Sequence, residues 1–326
     1  METTFNAWEV TRYGAPEVLA PVSRPVPTPT ADQVLIRIRA SAVSRADGLM
    51  RAGEPKFARL FLGLKRPRAG LSGTCFAGDI VAVGSKVTRF DMGDAVFGEA
   101  GLQFGANATY ISADQHGSLL KKPESVTYEE AATLFDGAMT SWHFLTRIAQ
   151  VKLGESVLVL GGSGSLGSAA VQFAKALGAH VTASASARNA DLLRSLGADH
   201  VNDYKTEDPL KPGAAFDVVF DTIGISSFGA AKPALAKDGR YICPVLGLRL
   251  LRDMLVTGVF GTKKATFAAA GMSKPEVHHE ELSEVLELMG KGQFSPVMDR
   301  TYPLADLVEA HRYVETSRKR GNVVVV

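Results

Sequence analysis

The sequence predicts an α/β protein of two domains, a doubly wound parallel sheet and a β-rich, barrel-like domain. Three observations lead to this fold class. The length of 326 residues exceeds what a single hydrophobic core usually holds. A glycine-rich turn, GGSGSLG, follows an apolar strand and opens an amphipathic helix. Strands alternate with helices beyond this turn, whereas short strands and turns fill the first 122 residues.

Composition narrows the class of protein. The hydrophobic share of 46% and the charged share of 21% are typical of a soluble globular chain. A net charge of +2 argues against a dedicated nucleic-acid binder. The two cysteines fit a reducing compartment, and no apolar run reaches the roughly 18 residues of a membrane span. We therefore expect a cytoplasmic protein without nucleic-acid or membrane partners.

The amino-terminal part is read as β structure, with strands over Val34–Ala40, Asp79–Gly84 and Ala108–Ala113. The stretch from Lys56 to Arg68 is more basic and apolar than its surroundings. It could bind anions or nucleic acid, but a patch of this size in a near-neutral protein is more often a mobile loop. A loop at this place could also line a substrate entrance.

A helical pattern begins at Pro123 and continues to about Gln150, with Ser125 or Thr127 as the predicted cap. Further on, the sequence predicts a helix from about Ala190 to Leu196 and strands within HVND, FDVVFDTIG and RYICPV. The carboxyl-terminal part returns to helix near His278 and ends in the strand NVVVV. This tail could fold back onto the first domain.

The glycine-rich turn predicts a dinucleotide site. Val157–Leu160 is apolar and rich in β-branched residues, Gly162, Gly164 and Gly167 fit GxGxxG, and Gly178 is the expected helix stop. The spacing gives a tight turn, lets the backbone approach a pyrophosphate, and leaves a helix N-terminus facing the anion. The alternative is a structural turn that binds nothing.

The following strand indicates NADPH. An NAD site places an acid about 20 residues beyond the first glycine, on the ribose 2′-hydroxyl. The residues Thr182 to Ser186 contain no acid. Ser184, Ser186, Arg188 and Asn189 supply hydroxyls and donors that suit a 2′-phosphate. The alternative is a plain helix start, with Ser186 as its cap and Arg188 solvated.

Several segments together resemble the medium-chain dehydrogenase/reductase superfamily, in particular its zinc-free quinone oxidoreductase and enone reductase branch. They are SAVSRADGLMRAG, GTCFAGDIVAVGSKVTRFDMGDAVFG, the GGSGSLG loop, SLGADHVNDY, FDTIG and the ending RGNVVV. The resemblance covers almost the whole chain. It implies a GroES-like catalytic domain over 1–122 and 266–326 and a Rossmann NADP-binding domain over 123–265. Members are usually dimers or tetramers, often paired through the edge of the Rossmann sheet, and we expect a homodimer.

The resemblance also bears on zinc. Zinc-dependent members carry a cysteine where this chain has Ser44 and a His-Glu pair where it has Thr74 and Cys75, and their third ligand aligns near Asp136. Hydroxyls, one thiol and one carboxylate do not make a tetrahedral zinc site, so we expect no metal. The chemistry left is hydride transfer to a quinone or to the C=C of an α,β-unsaturated carbonyl.

Site residues follow from the same resemblance. Ser44 is the candidate hydrogen-bond donor to the substrate carbonyl, with a turn residue as the alternative, and Thr140 is placed near the nicotinamide. The alternative for Thr140 is a capping residue, and that for Tyr204, a candidate contact of the 2′-phosphate, is a side chain that only packs. A dedicated proton donor is not visible, and Asp136 has no assigned role. The expected cofactor contacts are Gly161, Gly162, Ser163, Gly164, Ser165, Leu166 and Gly167 for the pyrophosphate, Ser186, Arg188, Asn189 and Tyr204 for the 2′-phosphate, Thr222, Leu246 and Gly247 for the nicotinamide side, and Arg320 and Asn322 at the carboxyl terminus.

Two other functions stay open at this point. One is an enoyl-thioester reductase of the same superfamily, which would need a basic groove for the coenzyme or carrier, and Lys56 to Arg68 is the one candidate. The other is a non-catalytic NADPH-binding sensor or RNA-binding protein. The sequence does not name the physiological substrate.

Overall fold

A computed structural model describes residues 3–68 and 70–326. Its strands are β1 (Thr4–Val10), β2 (Leu19–Pro25), β3 (Gln33–Ala42), β4 (Cys75–Val83), β5 (Ala95–Glu99), β6 (Tyr110–Asp114), β7 (Leu119–Lys121), β8 (Ser156–Leu160), β9 (His180–Ala185), β10 (His200–Asp203), β11 (Phe216–Asp221), β12 (Leu235–Ile242), β13 (Lys264–Thr266), β14 (Met298–Tyr302) and β15 (Asn322–Val325).

The α-helices are α1 (Arg45–Ala52), α2 (Arg59–Leu62), α3 (Tyr128–Ala132), α4 (Met139–His143), α5 (Ser165–Ala176), α6 (Ala190–Ser195), α7 (Phe228–Ala231), α8 (Leu248–Val259), α9 (Pro275–Gly290) and α10 (Leu307–Glu315). Two π-helical segments, Leu134–Ala138 and Phe144–Ile148, flank α4. Among the helices of the described ranges, none has the length and apolar character needed to cross a bilayer.

The chain divides into two compact units. Unit 1 holds the chain up to Asp136 together with Met272–Leu282 and Met298–Val326, and unit 2 holds Gly137–Gly271 and Ser283–Val297. The predicted domain boundaries remain a prediction beside this division.

Unit 1 is built on a seven-stranded sheet in the order β14-β15-β3-β4-β5-β7, with β6 also paired to β3, and β1 and β2 form a separate antiparallel pair. Its core includes Val34, Ile36, Phe76, Val96 and Leu119. The carboxyl-terminal strand β15 pairs antiparallel with β3, so the tail does return to the first domain. Sequence neighbours alone could not have shown which strand receives it.

Unit 2 is a six-stranded parallel sheet in the order β10-β9-β8-β11-β12-β13. This is the strand order of a Rossmann fold, in which the order reverses between the first and fourth strands. The buried residues Leu158, Leu160, Val219 and Tyr241 form part of its core. Since ligands bind such sheets beyond the carboxyl ends of the strands at the reversal, the loops after β8 and β11 mark the candidate site.

Helix starts and stops agree with the predicted chemistry. Thr127 is the cap of α3 and forms a capping box with Glu130, which decides between the two predicted caps. Gly178 adopts φ +80° just beyond α5, as a helix stop requires. The stretch from Lys56 to Arg68, expected as a loop, contains a 3₁₀ turn over Lys56–Ala58 followed by α2.

Candidate active site

The glycine-rich turn connects β8 to α5 and shows why small residues are needed. Gly161 has φ +74°, and a Cβ placed there would lie 2.9 Å from the Thr222 hydroxyl oxygen. A Cβ at Gly167 would lie 2.1 Å from the carbonyl oxygen of Gly161. At Gly164, the cap of α5, the nearest such neighbour is 3.5 Å away. The turn is thus closed towards the protein and open at the helix N-terminus, where an anion is stabilised.

The residues after β9 are attached to this turn. The side-chain amide of Asn189 donates from Nδ2 to the Ser163 hydroxyl at 2.8 Å, and the backbone amide of Gly162 donates to the Ser184 carbonyl at 3.0 Å. Asn189 is buried, and its Oδ1 has no hydrogen-bond partner within the described residues. A buried acceptor without a donor is costly. A ribose hydroxyl of a bound dinucleotide is a donor of the kind that this atom lacks.

The other predicted 2′-phosphate residues are accessible. Ser186 caps the 3₁₀ turn Ala187–Asn189 without a side-chain capping bond, and Arg188 is exposed. Tyr204 is 55% exposed directly after β10. Ser184 differs, because it is buried and donates to Asn202 Oδ1 at 3.3 Å. Its hydroxyl is therefore used within the sheet rather than offered to a phosphate.

On the other side of the strand reversal, Thr222 donates its hydroxyl to the Leu160 carbonyl at 2.7 Å. This bond joins the ends of β11 and β8. Leu246 is half-buried, and Gly247 is the cap of α8 with open space where a Cβ would be. Thr140 is half-buried within α4. The glycine turn, the residues after β9 and Thr222 are thus brought together in unit 2.

Unit 1 holds the remaining predicted residues. Ser44 is the cap of α1, where its hydroxyl donates to Asp47 Oδ2 at 2.7 Å and accepts from the Asp47 amide at 3.1 Å. The structure therefore gives Ser44 the turn role that was the alternative to carbonyl binding, and the catalytic role stays a prediction. Arg320 is exposed, with its amide bonded to Asp299 Oδ2 at 2.8 Å, and Asn322 is buried in β15.

Acidic groups in unit 1 were missed by the sequence reasoning. Burial raises the pKa of Asp47 to about 6, against the lowering effect of its bonds with Ser44. Burial and the charges of Asp136 and Asp47 raise the pKa of Glu99 to about 8. The Glu99 Oε2 atom is buried without a hydrogen-bond partner among the residues described. Glu99 therefore carries a proton at neutral pH.

Nearby carboxyl groups also affect the pKa values of a cysteine and a lysine. Burial, together with the charges of Glu99, Asp136 and Asp47, raises the pKa of the Cys75 thiol well above its usual value. Burial lowers the pKa of Lys319, although nearby acids oppose the change, and its ammonium donates to the Gly321 carbonyl at 2.9 Å. The SxxD spacing of Ser44 and Asp47 could have revealed the cap, but nothing local indicates that the Oε2 atom of the half-buried Glu99 lies inside the fold.

The donor set in unit 1 does not suit zinc. Two of the four aligned positions, Ser44 and Thr74, carry hydroxyl groups, which are not the Cys, His or carboxylate ligands that zinc takes in proteins, and the Ser44 hydroxyl is already used by Asp47. Over residues 3–68 and 70–326, no three His, Cys, Asp or Glu side chains are grouped as metal ligands. We therefore derive no step through a metal.

Comparison with known proteins identifies the family. The sequence profile of the alcohol dehydrogenase GroES-like domain matches residues 30–124, and that of a zinc-binding dehydrogenase domain matches residues 196–325. The chain is 31% identical to the 2-methylene-furan-3-one reductase of Solanum lycopersicum, over 98% of this chain and 79% of that protein. It is 30% identical to the chloroplast envelope quinone oxidoreductase homolog of Arabidopsis thaliana, over 98% of each. The chain belongs to the medium-chain dehydrogenase/reductase superfamily.

Within this superfamily it lies in the quinone oxidoreductase branch. A mycobacterial protein solved in complex with NADPH matches this medium-chain reductase with a TM-score of 0.84 and 27% identity, over 99% of each chain. The predicted family and fold class, a GroES-like domain with a Rossmann domain, are confirmed. The predictions of an oxidoreductase and of NADPH as its cofactor are confirmed as well. The chain is an NADPH-binding oxidoreductase.

Proposed function

We propose that this enzyme transfers a hydride from NADPH to a quinone, or to the C=C of an α,β-unsaturated carbonyl, without zinc. Two features of the chain carry the proposal: unit 2 holds a complete dinucleotide turn, and the donor set of unit 1 does not suit zinc. Without a metal to acidify an alcohol, the acceptor must stabilise its own product anion. Quinones and enones do so by delocalising the charge.

The cofactor supplies the hydride, and the chain supplies position and electrostatics. The backbone of residues 161–167 holds the pyrophosphate, which the closeness of Gly161 and Gly167 to their neighbours supports. The adenosine end of the cofactor, with its 2′-phosphate, is held by Ser186, Arg188, Asn189 and Tyr204. The proposed contacts of the nicotinamide side are Thr222, Leu246 and Gly247, and the proposed cofactor contacts near the carboxyl terminus are Arg320 and Asn322.

Ser44 and Thr140 are the proposed polar contacts at the reacting end. For Ser44 to donate to a substrate carbonyl, its hydroxyl must give up the hydrogen bond that it donates to Asp47 Oδ2. The product anion takes its proton from solvent. The reaction is balanced, since one hydride and one proton are added to the acceptor and NADPH leaves as NADP⁺.

The experiment is NADPH oxidation with an enone, a quinone and a crotonyl thioester, using protein treated with a chelator. Turnover that survives complete zinc removal supports the proposal. Turnover that appears only with stoichiometric zinc contradicts it. The non-catalytic alternative, a sensor or RNA-binding protein, would be supported by an RNA gel shift at physiological salt without any NADPH oxidation.

We also propose a homodimer. The strand β13 is an open edge of the sheet in unit 2, and α8, which packs beside it, exposes apolar side chains. Leu248, Leu255, Val259 and Phe260 are each at least 70% exposed. Apolar side chains concentrated on one surface are typical of an interface. Light scattering should give a mass of twice that of the chain, and Leu255→Asp should reduce it to the mass of a single chain. A Leu255→Asp variant that stays dimeric would place the interface elsewhere.

The cytoplasm is the proposed compartment, because Cys75 and Cys243 are not joined in a disulfide bond. No nucleic-acid partner is proposed, because the net charge is close to zero. Fractionation of cells that express the native chain tests the compartment. Recovery in an organelle fraction would contradict it.

A further inference from the structure

The loop that follows β11 is held from inside the fold by one buried carboxylate. Asp221 is the last residue of β11 and is fully buried. Its Oδ1 atom accepts from the backbone amides of Ile223 at 3.4 Å and Ile225 at 3.2 Å. Its Oδ2 atom accepts from the backbone amide of Ser226 at 2.7 Å. Three amides of one short loop therefore converge on a single side chain.

A fourth donor to this carboxylate comes from the neighbouring strand β12. The Tyr241 hydroxyl donates to Asp221 Oδ2 at 2.8 Å, and Tyr241 is 2% exposed. Burial raises the pKa of Tyr241, and the charge of Asp221 and the Cys243 thiol act in the same direction, so the phenol keeps its proton. A buried carboxylate is costly unless hydrogen bonds of this kind satisfy its oxygens. The acid and the loop therefore stabilise each other.

The loop that follows β12 is tied to the same place. The Cys243 thiol is 2% exposed, and its Sγ atom accepts from the backbone amide of Val245 at 3.4 Å. Val245 packs against the first loop at Gly224, which has φ +66°. A Cβ placed on Gly224 would lie 2.8 Å from the Val245 Cβ. The two loops are therefore fixed against each other.

These loops carry the residues proposed for the nicotinamide side of the cofactor. Thr222 belongs to the first loop, and Leu246 and Gly247 belong to the second. The first loop also reaches the glycine turn, since a Cβ on Gly161 would lie 2.9 Å from the Ile223 Cδ1 atom. Three buried side chains hold both loops, and we name them the Asp221 network: Asp221, Tyr241 and Cys243. Because each is at most 2% exposed, the network acts through the loops and does not itself offer a surface to the cofactor.

We propose that the Asp221 network positions the loops 222–226 and 245–247 for the nicotinamide half of NADPH, and so places the hydride relative to the acceptor. This inference rests on the proposed hydride transfer and adds three positioning residues to that site. The residues proposed for the adenosine half follow β9 and β10 instead. A change in the network should therefore act on one end of the cofactor and spare the other.

The first test is Tyr241→Phe, which removes one hydroxyl and keeps the ring in the core. Two ligands are titrated by calorimetry: NADP⁺, which has both ends, and adenosine 2′,5′-bisphosphate, which has only the phosphorylated adenosine end. We expect the Kd of NADP⁺ to rise by about three- to tenfold, because binding must then order a loosened loop. The Kd of the bisphosphate should stay the same.

Turnover gives a second readout. With a quinone or an enone and saturating NADPH, kcat of Tyr241→Phe should fall by about tenfold, because a misplaced nicotinamide no longer aligns with the acceptor. Cys243→Ala removes the acceptor of the Val245 amide and should act in the same direction. Cys243→Ser keeps an acceptor at this place and should recover part of the loss.

The matched control is Tyr128→Phe in unit 1. It removes the same kind of hydrogen bond, from a tyrosine hydroxyl to the carboxylate of Asp79. Neither residue belongs to a loop of the cofactor site. This variant should bind both ligands as the wild type does and should keep its kcat.

Equal weakening of both ligands in Tyr241→Phe would overturn the inference, because it would indicate general damage to unit 2. Unchanged NADP⁺ affinity and kcat in the folded variant would also overturn it and leave the network a purely structural role. If Tyr241→Phe does not fold, Cys243→Ala is judged by the same two readouts, and values equal to those of the wild type overturn the inference. A wild type that binds NADP⁺ but reduces no acceptor refutes the proposed hydride transfer, while the difference between the two ligands still decides the role of the network.

Discussion

Replacing Arg188 with alanine tests whether this side chain holds the 2′-phosphate of NADPH. Arg188 is exposed in the short turn after β9, next to Asn189, which is tied to Ser163 of the glycine turn. A hydrogen bond to a charged group contributes about 1.5–3 kcal/mol, and exposure places this one at the lower end. A loss of about 1.4 kcal/mol weakens binding about tenfold. NADH lacks the phosphate, so its affinity should not change.

The assay is a fluorescence titration of wild type and Arg188→Ala with NADPH and with NADH. The matched control is Arg194→Ala, which removes an exposed arginine that is paired with Asp191 on α6. This control should leave the preference for NADPH intact. Equal losses for both cofactors in Arg188→Ala would refute the assignment, because they would indicate damage to the turn rather than loss of a phosphate contact.

Three further predictions concern the turn, the cap and the buried acid. Gly167→Ala places a Cβ 2.1 Å from a backbone oxygen, so it should lower the free energy of unfolding by about 1–3 kcal/mol and weaken NADPH binding. The control Gly258→Ala, where a Cβ meets open space, should change neither quantity. Equal thermal unfolding and equal NADPH titrations for the two variants would contradict this prediction. Ser44→Ala removes the cap of α1, so the free energy of unfolding measured in urea should fall by about 1 kcal/mol, and an unchanged value would reject the cap. A larger fall in kcat with an enone than that caused by Asp47→Asn would support the catalytic role of Ser44. The raised pKa of Glu99 means that the folded state binds the proton of this carboxyl more tightly than the unfolded state does. This contribution to the free energy of unfolding is fully present below pH 4.5 and should be lost as the pH rises towards 8, by on the order of 4 kcal/mol. Urea unfolding of Glu99→Gln should be less sensitive over this range, and parallel curves for the two proteins would contradict the burial of that acid.

Much of the fold could be predicted from the sequence, because the patterns that define its strands, turns and helix ends lie close together along the chain. The strand before Gly161, the glycine spacing and the stop at Gly178 are neighbours in sequence and define one unit of structure. The returning tail was readable as a strand, but its partner β3 depends on long-range pairing. The helix α8 was not predicted, since its apolar residues face outward as well as inward.

The site was less readable, because burial and hydrogen bonding are properties of the folded chain. The absence of an acid after β9 was visible, whereas the use of Ser184 by Asn202 was not. Ser44 could be placed at a turn, but only the structure orients its hydroxyl to Asp47. The mobility expected of the Lys56–Arg68 stretch stays a prediction, whereas its contacts with Tyr13 could not be predicted, because that residue lies more than forty positions earlier.

The most direct test of the central claim is the absorbance change at 340 nm when chelator-treated enzyme is mixed with NADPH or NADH and each of several acceptors. The set contains a benzoquinone, a naphthoquinone, an alkenal, a cyclic enone and a crotonyl thioester. We predict turnover with NADPH, much weaker turnover with NADH, and no gain on adding zinc. Activity that requires zinc, or that is equal with both cofactors, would contradict a zinc-independent NADPH reductase.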